Sequence, residues 1–582
     1  MGRSTVGDHG FHRYVAGIVS VVLGLALVGS RIEPSNSRDD SSFATDRNFP
    51  DVTAAAALAL GTRGTATPTA VDGPALSGVE EPALPRAAVD TTEVVPSGHV
   101  IHVAAGGDFQ AALEKAQPGD RIALERGATY RGPFRLPRKD GNGWIVISTG
   151  DKAVVPAGQR VSPADGASMA RLVSSSTDVI ETDPGAHHYR FVSVEFTPTD
   201  GAYLRALVQI GAEEGPVDAL AHHIIIDRCY LHGDPRRGTR RGVALNSRDA
   251  AVINSYFSDF KEVGADSQAI SGWNGPGPFK IANNYLEAAG ENVMFGGADP
   301  TIDGLVPSDI EIVGNYLSKP LAWRINDPHY QGTAWSVKNL FELKNARRVL
   351  VDGNLFEYNW PHMQNGFAIL FTPRNQDGRS PWSVVEDVTF VNNLVRHVAD
   401  GINILGHDDI QSSQPTRRIA IRNNLFVDVG GGWGMGRLFQ LLDGTSDVTI
   451  EHNTAQQTDT LIFSGDRAPH THFVFENNIA FHNAYGVIGS GTGTGRSTID
   501  RYFPGAAIRR NVIIGGSADR YPPDNFFPPT AAQVGFADLK GNDFRLKPSS
   551  SYKRAATDRL DVGANIDKIV AAAEKPAGQL AR

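Results

Sequence analysis

A short motif recurs along the chain and constrains the fold more than any other feature of the sequence. Two apolar residues stand two positions apart, and an anchor residue, usually Asn, follows three positions after the second. The anchors are Val194, Cys229, Asn284, Asn315, Asn354, Asn393, Asn424, Asn453, Asn478 and Asn511, with Asn254 in sequence among them but lacking the apolar pair. Alternation with period two indicates a strand, so the repeated unit is a strand followed by a corner.

The distance between anchors varies from 25 to 39 residues, while the motif itself stays fixed. A constant local motif with variable spacing is typical of a solenoid whose loops take insertions. Asn suits the corner because it tolerates left-handed backbone and bonds locally. A second apolar strand falls in each interval, as at Ile402-Asn403-Ile404. The pattern predicts an all-β chain: a single-stranded, right-handed parallel β-helix of about ten coils.

The two ends of the solenoid are also marked in the sequence. Asp108 is placed to cap a short amphipathic helix that carries Phe109, Ala112 and Leu113 on one face. Such an N-terminal capping helix covers the open end of the first coil, as terminal repeats require. We therefore expect the β-helix domain to span residues 98–565, followed by a C-terminal helix or tail over 566–582.

The N-terminal segment has the pattern of a targeting signal. Residues 1–13 are polar with two arginines, and Val15–Ser30 is an uninterrupted apolar or small run. That run is shorter than the ~20 residues of a spanning helix. Residues 1–30 are predicted to be a signal peptide or an uncleaved anchor, and residues 31–97 a disordered tether rich in Ser, Ala, Thr and Pro. We expect a protein that is secreted or held in the cell envelope, and that meets a membrane only through an uncleaved anchor.

Charge and cysteine content exclude several classes of function. The chain has 55 Lys and Arg against 64 Asp and Glu, a net charge of −9. A nucleic-acid binder usually shows a basic excess, so no nucleic acid is expected as partner. The single cysteine, Cys229, excludes disulfides within the chain and any zinc site built from several cysteines. We expect a monomer.

Several segments resemble a known superfamily. Phe109–Gly132, with Pro118-Gly119-Asp120, the Asn corners, and the closing Asp561-Val562-Gly563-Ala564 resemble pectate-lyase-like right-handed β-helix proteins. The resemblance covers about residues 99–565. It implies the fold and a carbohydrate-active function, because members are mostly extracellular polysaccharide lyases, glycoside hydrolases and uronate epimerases.

A closer partial similarity concerns Asn283–Arg324. Gly290-Glu291 and Leu321-Ala322-Trp323-Arg324 are ordered much as in the chondroitinase B and alginate lyase family. By that resemblance Glu291 is a Ca²⁺ ligand and Arg324 a catalytic arginine.

The longest anchor spacings lie in the middle of the array and hold the other candidate residues. β-Elimination from a uronate needs a base and a cation that neutralises the carboxylate. The predicted catalytic residues are Lys344, Arg324 and His329, and the predicted substrate-binding residues are Arg374, Glu342, Asn403, Trp323, Trp335 and His407. Alternatives stay open: Lys344 can simply pair with Glu342, and the loop aromatics can simply pack.

The expected function is cleavage of an acidic polysaccharide by a lyase. Two other classes remain: a glycoside hydrolase or uronate epimerase on the same fold, and a non-catalytic cell-surface or glycan-binding protein. For the hydrolase, the acid and base would come from Gly406-His407-Asp408-Asp409, a turn that follows a strand.

Overall fold

The computed structural model describes residues 78–211 and 215–578. The signal or anchor expected at 1–30 lies outside these residues, as does most of the segment expected to be a tether. Three helices are present in the described part: α1 (Phe109–Lys115), α2 (Arg496–Tyr502) and α3 (Ile566–Gly578). No helix of the described residues is both long and apolar enough to cross a membrane.

Apart from five short 3₁₀ helices in the described residues, strands make up the rest of the regular structure. The first are β1 (Val100–Val103), β2 (Arg121–Leu124), β3 (Thr129–Arg131), β4 (Phe134–Leu136), β5 (Ile145–Thr149), β6 (Ala170–Ser174), β7 (Ile180–Thr182), β8 (His187–Val192), β9 (Val194–Pro198), β10 (Ala206–Ile210), β11 (His222–Asp227), β12 (Tyr230–His232), β13 (Arg241–Leu245) and β14 (Arg248–Ile253). Next are β15 (Tyr256–Phe260), β16 (Gln268–Gly272), β17 (Phe279–Ala282), β18 (Tyr285–Ala288), β19 (Glu291–Phe295), β20 (Ser308–Val313), β21 (Tyr316–Ser318), β22 (Phe341–Leu343), β23 (Ala346–Asp352), β24 (Leu355–Asn359), β25 (Phe367–Phe371), β26 (Val385–Val391), β27 (Leu394–Val398) and β28 (Asp400–Leu405). The last are β29 (Arg417–Arg422), β30 (Leu425–Val429), β31 (Phe439–Leu442), β32 (Ser446–Glu451), β33 (Thr454–Gln457), β34 (Ile462–Gly465), β35 (Val474–Glu476), β36 (Ile479–Phe481), β37 (Val487–Gly489), β38 (Ala507–Arg509), β39 (Val512–Ile514), β40 (Phe536–Asp538) and β41 (Asp543–Leu546).

Three long parallel sheets form the solenoid. Sheet A has 14 strands and begins β1-β2-β5-β8, sheet B has 13 and begins β3-β6-β9, and sheet C has 12 and begins β4-β7-β10. The chain visits A, then B, then C in each coil. The predicted right-handed parallel β-helix is confirmed. The array is longer than ten coils, because the coils built on β1–β7 precede the first anchor.

The interior is filled by apolar rows that run along the axis. In sheet A, Ile281 lies opposite Ile312 and Ile312 opposite Val351, and all three are fully buried. Sheet C contributes a similar row through Val293 and Phe341. In each coil, every second residue of a strand therefore packs in the interior against the neighbouring coils. This is why apolar residues alternate with period two in the sequence.

The corner between sheets A and B is a buried amide ladder. Asn354 receives a hydrogen bond from Nδ2 of Asn315 and donates its own Nδ2 to Oδ1 of Asn393, at 3.0 Å each, and it also donates to the carbonyl of Ile312. The same pattern joins Asn284, Asn315, Asn354, Asn393, Asn424, Asn453, Asn478, Asn511 and Asn525. A buried polar group without a partner is costly, so each amide fixes the register of the next coil.

Helix α1 covers the first coil. The side chain of Asp108 accepts a hydrogen bond from the N–H of Ala111, and Phe109 and Leu113 of α1 are buried, as predicted. Toward the other end, α2 packs on β34 and β37 of sheet C. The antiparallel pair β40–β41 and helix α3 cover the side of sheet B, where α3 contacts the middle strands β21, β24 and β27.

Residues 79–97, which the sequence assigned to the tether, lie along sheet A as a strap. The N–H groups of Glu80, Ala83 and Arg86 donate to the carboxylates of Asp447, Asp387 and Asp309, respectively. These acids stand in every second coil. Three residues of extended polyproline II chain span about 9.3 Å, and two coils span about 9.6 Å, so the strap matches the repeat.

Candidate functional site

A row of polar residues stands where sheet B ends and the chain turns toward sheet C. Tyr358, His397 and Asp428 occupy the same position in three successive coils, at the ends of β24, β27 and β30. All three have left-handed backbone, with φ of 64°, 56° and 54°. The same conformation recurs at other repeated positions of the solenoid, as at His188 and Asp309, so the fold gives these three side chains a common direction.

Two loop residues complete this group, which we call the edge cluster: Arg324, Tyr358, His397, Asp428 and Trp433. Nδ1 of His397 lies 2.8 Å from Oδ2 of Asp428, and Nε1 of Trp433 donates to the same oxygen at 2.7 Å. The ring of Tyr358 stacks on that of His397 at 5.4 Å. Tyr358, Asp428 and Trp433 therefore all contact the imidazole of His397.

Arg324 reaches the cluster from a distant loop. Its guanidinium lies over the ring of Trp433 at 4.5 Å and donates a hydrogen bond to the carbonyl of Gly432. Arg324 follows β21, whereas Gly432 follows β30, three coils farther along the array. The insertion after β21 thus arches over the coils of Tyr358 and His397.

The protonation states suit acid–base chemistry. Hydrogen bonds from His397 and then Trp433 hold the pKa of Asp428 below its ordinary value. Burial, and then the charge of Glu357, raise the pKa of Tyr358 above its ordinary value. At neutral pH Asp428 is a carboxylate that orients the imidazole, and Tyr358 is a phenol that can donate a proton.

Among the described residues, none forms a hydrogen bond with Nε2, the remaining ring nitrogen of His397. Nε2 lies 3.7 Å from Oε1 of Glu357, beyond hydrogen-bond length. That oxygen receives a hydrogen bond from Nε of Arg396 at 2.7 Å, and the other oxygen of Glu357 is bonded by the hydroxyl of Tyr316. A histidine oriented by a carboxylate on one side and unbonded on the other has the arrangement of a general base.

Exposed apolar side chains lie in loops at the same edge of the solenoid. Ile325 is 42% exposed, Met363 51% and Met435 58%. They lie in the three loops that follow β21, β24 and β30 at this edge. Solvent-facing apolar groups beside convergent polar groups are typical of a ligand-binding surface.

Lys344, the base predicted from sequence, lies on the outer face of sheet C. Its Nζ is 3.5 Å from Oε1 of Glu342. Glu342 is 1% exposed and is also approached by Nδ2 of Asn339 at 3.2 Å and by the hydroxyl of Thr372 at 3.5 Å. The alternative that the sequence left open, a Lys344–Glu342 pair, is thus the arrangement found.

The surroundings of Glu291 do not fit a calcium ion. One carboxylate oxygen accepts from Nε2 of Gln268 at 2.7 Å, and the ammonium of Lys338 lies 3.5 Å from the other. Burial, and then the charge of Asp266, raise the pKa of Glu291. Calcium takes six to eight oxygen ligands, whereas here an ammonium holds the position of the cation.

Two predicted sugar-stacking rings are packed inside a loop. Trp323 and Trp335 are 3% and 6% exposed and form a cluster with Trp360. The ammonium of Lys261 lies over both indoles, at 5.2 Å and 5.0 Å. The faces of both rings are covered. The two tryptophans therefore pack within the loop, which is the alternative that the sequence left open.

The other predicted residues are spread over the molecule. Arg374 pairs with Asp408 at 2.7 Å and Asp409 at 3.0 Å, beside His407, where sheet C turns back to sheet A. His329 is an exposed loop residue 2.9 Å from Asp327.

Asn403 accepts from Gln440 at 3.0 Å on the outer face of sheet C. The structure therefore does not gather Arg324, Lys344 and Arg374 into one site: they stand at the B–C edge, on sheet C, and at the C–A edge.

Sequence reasoning missed Tyr358, His397 and Asp428, although a signal for them exists. Each stands four residues after an anchor, namely Asn354, Asn393 and Asn424. Reading a fixed offset from the anchors would have aligned them as one row. Trp433 had no comparable signal, because it lies in a loop outside the repeat.

The known proteins named below share little of their sequence with this chain. No family model matches the sequence, and no curated protein matches it. Among solved structures, the PL6 family alginate lyase AlyGC is 13% identical with a TM-score of 0.41, over 81% of this chain and 57% of that one.

The A-module of the Azotobacter vinelandii mannuronan C-5 epimerase AlgE4 is 11% identical with a TM-score of 0.39, over 69% of this chain and 94% of its own. Pectate lyase Pel9A is 14% identical with a TM-score of 0.30, over 81% and 96%. The chain thus spans little more than half of the length of AlyGC. All are parallel β-helix proteins, as this chain is.

Proposed function

We propose that this protein cleaves an acidic, uronate-containing polysaccharide by β-elimination, and that the edge cluster is its active site. The observation that carries the proposal is the 2.8 Å contact between His397 and Asp428, beside the phenol of Tyr358 and the guanidinium of Arg324. A base, an acid and a cation for the carboxylate are the groups that this reaction needs.

Each group has one role in the proposed reaction. Nε2 of His397 takes the C5 proton of the uronate, next to its carboxyl group. Arg324 binds that carboxylate and stabilises the negative charge that develops on it. Tyr358 gives its proton to the glycosidic oxygen as the C4–O bond breaks and the C4=C5 double bond forms. The imidazolium and the phenolate then exchange the proton through solvent.

The sequence predicts Lys344 as the base, and an assay of the same elimination reaction tests that prediction. Its amine has one carboxylate partner, at 3.5 Å, and lies on a face that also carries Asn403 and Gln440. If Lys344 were the base, sheet C and not the B–C edge would hold the reacting sugar. The substrate class is the same in both versions.

The place and state of the protein are part of the proposal. The polymer it would cleave is found outside cells, which agrees with the targeting pattern of residues 1–30. We propose that the protein is secreted or held in the cell envelope, and that it acts as a monomer. The calcium that the family resemblance implies at Glu291 is tested by adding EDTA, and we expect activity to survive.

The experiment is a screen of alginate, pectate, chondroitin and a neutral glycan with the purified chain. Ultraviolet absorbance of an unsaturated uronate supports the lyase. New reducing ends without that absorbance indicate a hydrolase, and inversion at C5 without cleavage indicates an epimerase.

Binding without product indicates a glycan-binding protein. Any of these three results overturns the proposal. His397→Asn, with His102→Gln as an exposed control, then locates the site.

A further inference from the structure

Two histidine pairs lie side by side on sheet A, apart from the edge cluster. His187-His188 begins β8, and His222-His223 begins β11 in the next coil. His222 is in register with His187. His188 and His223 both have left-handed backbone, with φ of 59° and 54°. The same local bend therefore presents an imidazole pair twice, one coil apart.

The four rings form a compact group. His187 stacks on His222 at 4.7 Å with 10° between the rings, and His188 stacks on His223 at 4.4 Å with 14°. Within each pair the two Nδ1 atoms are 2.8 Å apart. One ligand nitrogen each from His188, His222 and His223 lie within 4.8 Å of one another.

The short Nδ1 distances mean that each pair shares one proton or one cation. Two neutral imidazoles satisfy this contact when one Nδ1 carries a proton and the other accepts it. A metal ion can take the place of that proton, because imidazole nitrogen is a preferred ligand of Zn, Cu and Ni. The two states differ in whether a divalent cation is bound.

The distances favour a metal with right-angled coordination. Two nitrogens at about 2.05 Å from one ion and 2.8 Å apart subtend about 86° at the metal. A tetrahedral site would need them about 3.3 Å apart. Square-planar or tetragonal nitrogen ligation is typical of Cu²⁺ and Ni²⁺.

The spacing between the coils also fits. The stacked rings of neighbouring coils have centroids 4.4 Å and 4.7 Å apart, and one ligand nitrogen each from His188, His222 and His223 lie within 4.8 Å of one another. Nitrogens bound to one right-angled ion are about 2.9 Å apart when adjacent and about 4.1 Å apart when opposite, so rotation of the side chains would bring the nitrogen of the other coil to the ion. The repeat of the solenoid thus sets the width of the site.

The group is partly shielded from solvent, since His188 is 9% exposed. Trp144 covers the group, with its ring 5.2 Å from that of His188.

One carboxylate stands near enough to balance the charge of an ion. Oδ2 of Asp249, in the coil after His223, is 4.0 Å from Nε2 of that histidine. Asp249 occupies the position that His188 and His223 hold in their own coils, with φ of 47°. Arg248 is in register with His222 in the next coil and adds a positive charge beside it.

We propose that His188, His222 and His223 bind one divalent transition-metal ion that prefers right-angled coordination, Cu²⁺ or Ni²⁺, and that His187 orients His188 through their Nδ1 contact. Histidine ligands are commonly oriented by a hydrogen bond to the second ring nitrogen. The site joins two coils of sheet A and is independent of the polysaccharide chemistry proposed above.

The test is titration of the full, untagged chain with CuCl₂, NiCl₂, ZnCl₂ and CaCl₂ at pH 7, followed by calorimetry. The variants are His222→Gln and His223→Asn, since Asn tolerates the left-handed backbone of position 223. His102→Gln is the exposed control. Thermal unfolding in EDTA establishes that each variant is folded, so a loss of binding is read only in folded protein.

We expect one Cu²⁺ or Ni²⁺ per chain and affinity at least about tenfold weaker in His222→Gln and His223→Asn, on the scale of losses at metal sites. Nitrogen splitting in the electron paramagnetic resonance spectrum of bound Cu²⁺ should report imidazole ligands. Equal binding by the variants, no binding by the wild type, or tighter binding of Zn²⁺ than of Ni²⁺ would each overturn the assignment.

Discussion

Nδ1 of His397 lies 2.8 Å from Oδ2 of Asp428 in the next coil of the solenoid. The two residues are 31 positions apart in the sequence. Because both have left-handed backbone at the end of a strand of sheet B, the coil spacing alone brings the imidazole to the carboxylate. This relationship is the basis of the proposed site and of the first prediction.

His397→Asn should abolish elimination while leaving the fold intact. Asn tolerates positive φ, so the backbone is not strained, and loss of a general base typically costs about 10²- to 10⁴-fold in rate. The measurement is the rate of formation of the unsaturated product, with thermal unfolding alongside. Undiminished activity in a folded variant would remove His397 from the mechanism.

Lys344→Ala distinguishes the two candidate bases. With the edge cluster as active site, we expect near-normal turnover and a lower free energy of unfolding, because the buried carboxylate of Glu342 loses its cation. A buried group that loses its partner costs about 1–3 kcal/mol. Urea unfolding and a turnover assay measure the two effects, with exposed Lys540→Ala as control. Lost turnover would identify Lys344 as the base.

Asn354→Ala should destabilise the solenoid strongly. It removes hydrogen bonds to Asn315, Asn393 and the carbonyl of Ile312 at a fully buried corner. With several groups left unpaired, we expect a loss of about 2–5 kcal/mol in urea unfolding. Exposed Gln376→Ala is the matched amide control. A loss of less than about 1 kcal/mol would show that the ladder is not required.

The free energy of unfolding should fall with rising pH because of one buried carboxyl group, that of Asp400. Burial raises the pKa of Asp400 to about 6 from 3.8, so the folded state favours its neutral form. The stabilisation is complete below about pH 4 and is lost as the pH rises to about 6. Relative to Asp400→Asn, the wild type should lose about 2–3 kcal/mol over this window. A constant difference between the two proteins from pH 4 to pH 7 would contradict the burial effect.

The strap should contribute to stability. We compare a chain that begins at Gly78 with one that begins at Gly98, and we expect a lower melting temperature for the shorter one. It loses three N–H donors to Asp309, Asp387 and Asp447, and the ion pair of 2.9 Å between Glu93 and buried Arg228. Equal melting temperatures would show that these contacts add nothing.

The fold could be predicted from the sequence because its information is local. Each apolar pair and each anchor, such as Ile310, Ile312 and Asn315, needs only its own few residues to define a strand and a corner. Stacking such units buries one continuous interior. The capping helix could be predicted for the same reason, because Asp108 and the apolar face of α1 are neighbours in the sequence.

Individual site residues were less accessible to the same reasoning. Arg324 was singled out, but its partners Trp433 and Gly432 lie more than a hundred residues away. The sequence around Trp323 and Trp335 does not predict that Lys261, which lies two coils earlier, covers both rings. The strap was assigned to the tether, because its contacts, such as the N–H of Glu80 with Asp447 and the side chain of Glu93 with Arg228, join residues more than a hundred positions apart in the sequence.

The sequence by itself determined that this chain folds into a parallel β-helix, because the alternation of apolar residues and the Asn corners repeat within each coil. Only the tertiary structure decided which polar groups meet. Loop insertions differ in length from coil to coil, so residues brought into contact, such as His397 with Asp428 or Arg324 with Trp433, are set by stacking distance and loop path. Neither the stacking distance nor the path of a loop can be predicted from the spacing of a single motif.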